Sequence, residues 1–387
     1  MEQKRKKPVV LKREVDDAFK IQAVPKPIGA WPYQLKLGEV LDFPSDGRSF
    51  SFHAVGDTGS VRHSDFQAVV ARELGRQITS VPAKEESPAF LLHLGDIVYN
   101  FGEAKEYADQ FFKPYEQYPA PIFALSGNHD ADINPDSEEP YTSLEAFLQV
   151  FCDGSPKPVP FSGGSRRLSM IQPNIYWLLD TPLANFICLY GNATKFGTID
   201  SEQEAWFIER LKVAQQERRE KALIVCLHQA PYSADINHGS SLAMIDFLDR
   251  AFAAADVWPD IVLSGHVHCY ERFSKTYPNG LVVPYLVAGA GGYADLHPVA
   301  ALDDITVTDE HPALEGVALD NYCDDHFGFL KITVQKETDG LKLIGTYYIL
   351  PQDMLKNDQI SAQVFETFTF SLSEADRQTY ADAGREM

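Results

Sequence analysis

Short apolar runs recur along the chain, and several of them end the same way. Phe50-Ser51-Phe52-His53-Ala54-Val55 alternates and then stops at Gly56-Asp57-Thr58-Gly59. Phe90-Leu91-Leu92-His93-Leu94 runs into Gly95-Asp96-Ile97-Val98-Tyr99. Pro121–Leu125 runs into Ser126-Gly127-Asn128-His129-Asp130. The fully apolar Ala222–Leu227 stops at His228, and Ile261-Val262-Leu263 stops at Ser264-Gly265-His266-Val267-His268. Apolar runs of this length, bounded by Gly and polar residues, predict buried strands. Helical spacing separates them: Phe66, Val69, Val70, Leu74 and Ile78 predict a helix over 64–80 with Ser64 as its N-cap. Asp200–Gln216 carries Trp206, Phe207, Ile208 and Leu211 on one side, and Ser241–Ala253 reads as another helix.

Weaker patterns complete the outline. Helical stretches are predicted near Gly102–Phe112 and Tyr141–Phe151, with strands over Asn174–Asp180 and Asn185–Leu189 in a second sheet. Leu281–Ala288 is a further strand, and Phe329–Val334 with Leu341–Leu350 form a hairpin around Asp339-Gly340. Thr367–Ser371 adds one more strand. Strands and helices alternate early and strands dominate late, with no repeat and no linker. This predicts one catalytic domain over 49–372. A proline-bearing arm, 1–48, packs on it, and 373–387 forms a terminal helix or tail. A parallel core sheet would bring the five polar strand ends to one edge, where ligand sites of open α/β sheets lie.

Charge narrows the partners. The 387 residues carry a net charge of −21, which repels nucleic acid and anionic lipid. It also repels phosphate, so an anionic substrate needs a local cation, and a bound metal is the economical source. No stretch approaches the ~20 apolar residues of a membrane span. The basic start, Met1–Lys7, is followed by no apolar leader segment. Cys152, Cys188, Cys226, Cys269 and Cys323 are widely spaced with no CxxC pair, which points to a reducing compartment and away from a thiolate zinc site. The expected location is cytoplasmic.

A lone Gly-Asp after a strand is a turn. Five strand ends carrying Asp57, Asp96 with Tyr99, Asn128 with His129, His228, and His266 with His268 are a set of oxygen and nitrogen donors fit for two cations. In-line displacement at phosphorus uses two metals ~3.5–4 Å apart to activate water and neutralise charge. Several nearby residues read more plainly. His53 and His93 belong to the core or support the donors, and Cys226 and Cys269 are buried thiols. Cys323-Asp324-Asp325-His326 is a polar loop, and Gly289-Ala290-Gly291-Gly292 lets backbone pass close to the site.

In order, the blocks Gly56–Gly59, Gly95–Tyr99, Gly127–Asp130, Val225–His228 and Gly265–His268 resemble those of the calcineurin-like metallophosphoesterases. The variant is that of the purple acid phosphatases. The first block reads Asp-x-Gly rather than Asp-x-His, and Tyr99 stands three residues after Asp96, where that family replaces the missing histidine. Gly265–Arg272 extends the likeness towards the plant enzymes. The resemblance implies an α/β four-layer fold, two mixed β-sheets packed together with helices on the outer faces. It implies Asp57, Tyr99 and His268 on one metal, Asn128, His228 and His266 on the other, and Asp96 bridging them. The first metal would be Fe(III), as a hard phenolate donor also suggests, and the second Fe(II), Zn(II) or Mn(II). His129 and His238 would face the substrate, with His238 as general acid and His129 as phosphate binder. The family's second fourth-block histidine is replaced by Gln229. The implied activity is hydrolysis of small phosphate monoesters by a metal-bound hydroxide. A phosphodiesterase on the same metals, for instance for cyclic nucleotides, and a metal-dependent binding scaffold with little catalysis are the alternatives.

Overall fold

The computed structural model describes residues 3–13, 23–42, 47–62, 65–80, 87–192 and 197–373. The three early apolar runs become adjacent parallel strands, Ser49–Val55, Pro88–His93 and Ile122–Ala124. Antiparallel Gly328–Lys336, Gly340–Ile349 and Gln363–Ser373 extend them into a six-stranded sheet. Ala222–Cys226 and Ile261–Ser264 lie instead in an eight-stranded sheet, parallel to each other and flanked by Ala184–Cys188 and Val282–Ala288. The five polar strand ends therefore come from two sheets rather than one parallel sheet. The physical reason is the apolar face that carries Phe52 and Phe90, which the aromatic side chains of the second sheet cover.

The two sheets face each other through aromatic side chains. Phe52 and Phe90 meet Phe186 with ring centroids 4.9 and 5.7 Å apart, and Phe123 meets Trp177 at 5.6 Å. Each such pair contributes about 0.5–1.5 kcal/mol beyond its area burial. The period-2 alternation puts His53 on the opposite face, where Gln77 of the helix Asp65–Thr79 lies 3.1 Å from its Nε2 and Tyr118 3.2 Å from its Nδ1. On the other outer face, the helices Ser201–Gln215 and Leu242–Ala255 pack together, with Phe207 stacked on Phe247 at 5.5 Å. Their N-caps are Asp200, accepting from the Gln203 amide at 2.8 Å, and Ser241, accepting from the Met244 amide at 3.4 Å. The result is an α/β protein with two mixed sheets and outer helices. The cap expected at Ser64 lies outside the described residues, as does the terminal segment beyond Ser373.

Several local expectations need amendment. The described part of the N-terminal arm is woven into the fold: Gln34–Lys36 pairs with Trp177–Asp180 at the sheet edge, and Val10–Leu11 pairs with Val307–Thr308. The stretch around Gly102–Phe112 is a succession of a 3-10 turn, Ala104–Glu106, a π turn, Ala108–Phe112, and one α turn, Lys113–Tyr115. Two longer strands escaped the pattern as well, Tyr270–Thr276 and Val317–Cys323. In the first, the polar Glu271 occupies a buried position and so masks the alternation.

Glycines let the two sheets' loops meet. Gly95 has φ +98°, and a Cβ there would lie 2.5 Å from His228 Nδ1 and 2.8 Å from the Gly127 nitrogen. A Cβ on Gly289 would lie 2.7 Å from Asp57 Oδ2, so the Gly289–Gly292 segment does pass close to the strand ends. Gly95→Ala is expected to lower unfolding free energy by ~2–4 kcal/mol, through strain at positive φ and overlap with His228. Urea denaturation measures this, and an unchanged midpoint contradicts the packing described.

Candidate metal centre

The loops after five strands deliver seven side chains to one place. Asp57 Oδ1 and Tyr99 Oη are 3.4 Å apart, Tyr99 Oη and Asp96 Oδ2 3.0 Å, and Tyr99 Oη and His268 Nε2 3.3 Å. A second group adjoins it. Asn128 Oδ1 lies 3.1 Å from His228 Nε2 and 3.0 Å from His266 Nδ1, and Asp96 Oδ2 lies 3.4 Å from His228 Nε2. Asp96 stands between the two groups. All of these residues are buried except the half-buried His266.

Local backbone geometry aims the donors. Asp57, Asp96 and His266 have φ of 58°, 52° and 69°, the left-handed region that non-glycine residues seldom occupy. The strain is held by hydrogen bonds: Asp57 Oδ2 accepts from the His266 amide at 2.8 Å, and Asp96 Oδ1 from the His129 amide at 2.9 Å. Gln110 grips the Tyr99 backbone from both sides, its Oε1 accepting from the Tyr99 amide and its Nε2 donating to the Tyr99 carbonyl, each at 2.9 Å. Asp130 ties the second and third loops together by accepting from the Ile97, Val98 and Gly127 amides at 3.0, 3.1 and 2.8 Å.

Hydrogen bonds to carbonyls fix two of the imidazoles. His228 Nδ1 donates to Leu94 O at 2.8 Å, and His268 Nδ1 donates to Asp295 O at 3.1 Å. Their Nε2 atoms are left facing the carboxylates, the amide oxygen and the phenol. This is the arrangement metal-ligating histidines adopt, with the far nitrogen held by a carbonyl. The donor set has more lone pairs than protons, which is costly in a buried site unless a cation fills it. Mixed oxygen and imidazole donors suit two first-row cations, so the residues fit such a centre.

Protonation reflects the same crowding. Burial, reinforced by the Asp96 and Asp57 charges, holds the Tyr99 phenol well above its ordinary pKa. Burial and the neighbouring Asp96 also push Asp57 well above the carboxylate range, against the pull of His228. Burial alone would lower the His228 imidazole, but Asp96 and Asp57 carry it up to about 9. Burial and the Asp96 charge push Asp130 up to about 7. A cation bound beside it would favour the phenolate form of Tyr99.

Above the donors is a cleft of about 280 Å³, lined among others by His129, His238, Tyr293, Asp295 and His297. His129 Nδ1 is taken by Asn100 O at 2.9 Å, and its ring lies 4.3 Å from that of Tyr99, tilted by 37°. The His238 ring lies 4.3 Å from His266. The structure thus brings together all nine side chains singled out in the sequence. Gln229, which replaces the second histidine of the fourth block, turns away and donates to Asn192 Oδ1 at 2.7 Å. His93 supports the first loop, its Nε2 2.8 Å from Thr58 Oγ1. Cys323, Asp325 and His326 form a separate cluster of donors at the end of the strand Val317–Cys323. Tyr293, His297, Gln110 and Asp235 were not found by sequence reasoning. They arrive by tertiary packing from stretches without a motif.

Residues 50–270 match the family described as calcineurin-like phosphoesterase. Purple acid phosphatase 22 of Arabidopsis thaliana is 31% identical over 161 residues, which is 41% of this chain and 33% of that protein. The chain thus matches about a third of that relative's length. A purple acid phosphatase from yellow lupin (Lupinus luteus) seeds superposes with a TM-score of 0.60 at 18% identity, covering 87% of this chain and 56% of the other. The anchor protein of the Plasmodium inner membrane complex does so with a TM-score of 0.53 at 15% identity, covering 87% and 94%. At these identities the structures show a shared fold alone.

Two expectations test the centre. Plasma mass spectrometry of the cation-loaded chain should count about two metal ions, about one in Asn128→Ala or His228→Ala, and fewer in Asp96→Ala. Equal content in all variants contradicts the assignment. Because His228 holds its proton up to about 9 without metal, loading at neutral pH should displace protons. Calorimetry in buffers of different ionisation enthalpy reads that release, and no buffer dependence contradicts it.

Proposed function

The chain belongs to the calcineurin-like phosphoesterase family, and on that premise we propose that it hydrolyses small phosphate monoesters in the manner of a purple acid phosphatase. The observation that carries this reading is the convergence of Tyr99 Oη on Asp57, Asp96 and His268 within 3.0–3.4 Å. Asp57, Tyr99 and His268 would hold one ion, Asn128, His228 and His266 the other, and Asp96 both. A hard anionic phenolate favours Fe(III) at the first position, and the softer N/O set accepts Fe(II), Zn(II) or Mn(II) at the second. Cations bound there supply activated water at neutral pH and neutralise the phosphoryl oxygens.

The protein's own groups do the rest. His129, with Nδ1 committed to Asn100 O, offers Nε2 to a phosphoryl oxygen in the cleft. His238, close above His266, is placed to give a proton to the departing alkoxide. The Tyr99 ring packs against those of His129 and Tyr293, with centroids 4.3 and 4.4 Å away and each tilted by 37°, which restrains its oxygen. The narrow cleft leaves room for a phosphoryl group. The fold by itself does not choose between an esterase and an anchor, as the Plasmodium likeness illustrates. The completeness of the donor set supports catalysis.

All five cysteines are free and buried, which supports a reducing compartment, and the cytoplasm is the proposed location. Among the described residues no helix is long and apolar enough to cross a membrane.

Turnover of p-nitrophenyl phosphate, bis-p-nitrophenyl phosphate and cyclic AMP by the metal-loaded chain tests the reading. The monoester should dominate in kcat/KM, and dominance of either diester overturns it. His238→Ala should lower kcat by ~10²–10³, with a smaller loss for a leaving group of low pKa. An equal loss for all leaving groups would remove His238 from the acid role.

A further inference from the structure

We infer that Asp235 is a buried positioning residue that aims two imidazoles into the cleft, and that the second of these, His297, contacts the phosphoryl group alongside His238. The inference rests on the phosphoesterase reading above. Asp235 is fully buried, and no recognised block contains it. Its Oδ1 accepts from the Gly239 amide at 2.6 Å, the His238 amide at 3.1 Å and the Ser233 hydroxyl at 3.3 Å. Its Oδ2 accepts from the Asn237 amide at 3.1 Å. The ring nitrogens complete the environment: His297 Nδ1 lies 3.3 Å and His238 Nδ1 3.6 Å from Oδ2.

The Asp235, His238 and His297 donors lie close enough together to hold a cation. The amides argue against it, because backbone N–H dipoles already present their positive ends to both carboxylate oxygens. Ring N–H groups are the donors that fit the remaining space, and a carboxylate fed by several N–H bonds is a firm anchor for them. Anchoring the Nδ1 edges turns the opposite edges of both rings towards the cleft that both line.

His238 and His297 reach Asp235 from different strands. His238 lies in the loop after Ala222–Cys226, and His297 in the loop after Val282–Ala288. The His297 ring also stacks on His268 at 4.0 Å and lies 4.9 Å from His238. The His297 amide donates to His268 O at 3.0 Å, which holds its backbone. The ring is thus held by Asp235 at its Nδ1 edge and by His268 against one face. Among the described residues no lysine or arginine lines the cleft. In a chain of net charge −21, side-chain N–H donors for a phosphoryl group must then come largely from imidazoles. A second anchored imidazole fills that need.

A mutant cycle decides it, read by p-nitrophenyl phosphate kinetics and by calorimetric binding of inorganic phosphate to the metal-loaded enzyme. His297→Ala should raise both KM and the phosphate Kd by ~5–20-fold, with metal content and Tm kept, and His297→Gln, which retains a donor, should restore part of the loss. Asp235→Asn should lower kcat/KM by ~30-fold in the parent but by less than ~2-fold in a His238→Ala/His297→Ala background, because its effect runs through those rings. An equal effect of Asp235→Asn in both backgrounds, or an unmoved KM and Kd in His297→Ala, overturns the inference. If Asp235→Asn fails to fold, the two His297 variants decide alone. If the loaded parent turns over no phosphoester, the functional reading has failed, and the phosphate Kd still decides the cycle.

Discussion

Too many lone pairs and too few protons meet where the two sheets converge. Asp57, Asp96, Tyr99, Asn128, His228 and His268 are buried, and their oxygen and nitrogen atoms approach within 3.0–3.6 Å. A protein interior cannot hold such a cluster cheaply without positive charge. The directions of the pKa shifts express the same pressure, with the Tyr99 phenol and the Asp57 carboxyl driven up and the His228 imidazole retaining its proton. Two cations held by these residues would resolve all of these at once. They would also reverse the local field of a chain whose net charge of −21 otherwise repels a phosphorylated substrate.

The rest of the architecture serves to hold that cluster rigid. Two sheets pressed together through Phe52, Phe90, Phe123, Phe186 and Trp177 bring five strand ends to one point. Glycines at 95 and 289 permit the loops to close over one another. Left-handed backbone at Asp57, Asp96 and His266 turns the donors inward, and amide hydrogen bonds secure them. Local strain of this kind persists because the surrounding packing over-determines it. Asp130 and Gln110 join adjacent loops to each other and to Tyr99, so the donors move as a unit.

Much of this was legible because strand ends are local events. An apolar run stopping at Gly-Asp or Gly-Asn-His can be read without knowing what lies opposite, and five such ends implied convergence. Asp-x-Gly together with Tyr99 then singled out one variant of the donor set. The partition of the strands between two sheets was not legible in the runs themselves, because a doubly apolar strand fits either sheet. Glu271 hid a strand by placing a polar residue at a buried position. His297 and Asp235 lie in loops where no spacing rule applies, and only tertiary packing brings them to the cleft. The arm's edge strand, Gln34–Lys36, is short and pairs with a partner far along the chain.

Tyr99 carries the most specific part of the proposal, since a phenolate in this position would favour a trivalent ion. The visible absorption spectrum of the iron-loaded protein, compared with Tyr99→Phe, measures it directly. A tyrosinate-to-Fe(III) band in the parent that disappears in the variant is the predicted result. A colourless, iron-free protein that nonetheless hydrolyses phosphate monoesters would contradict the account of this centre.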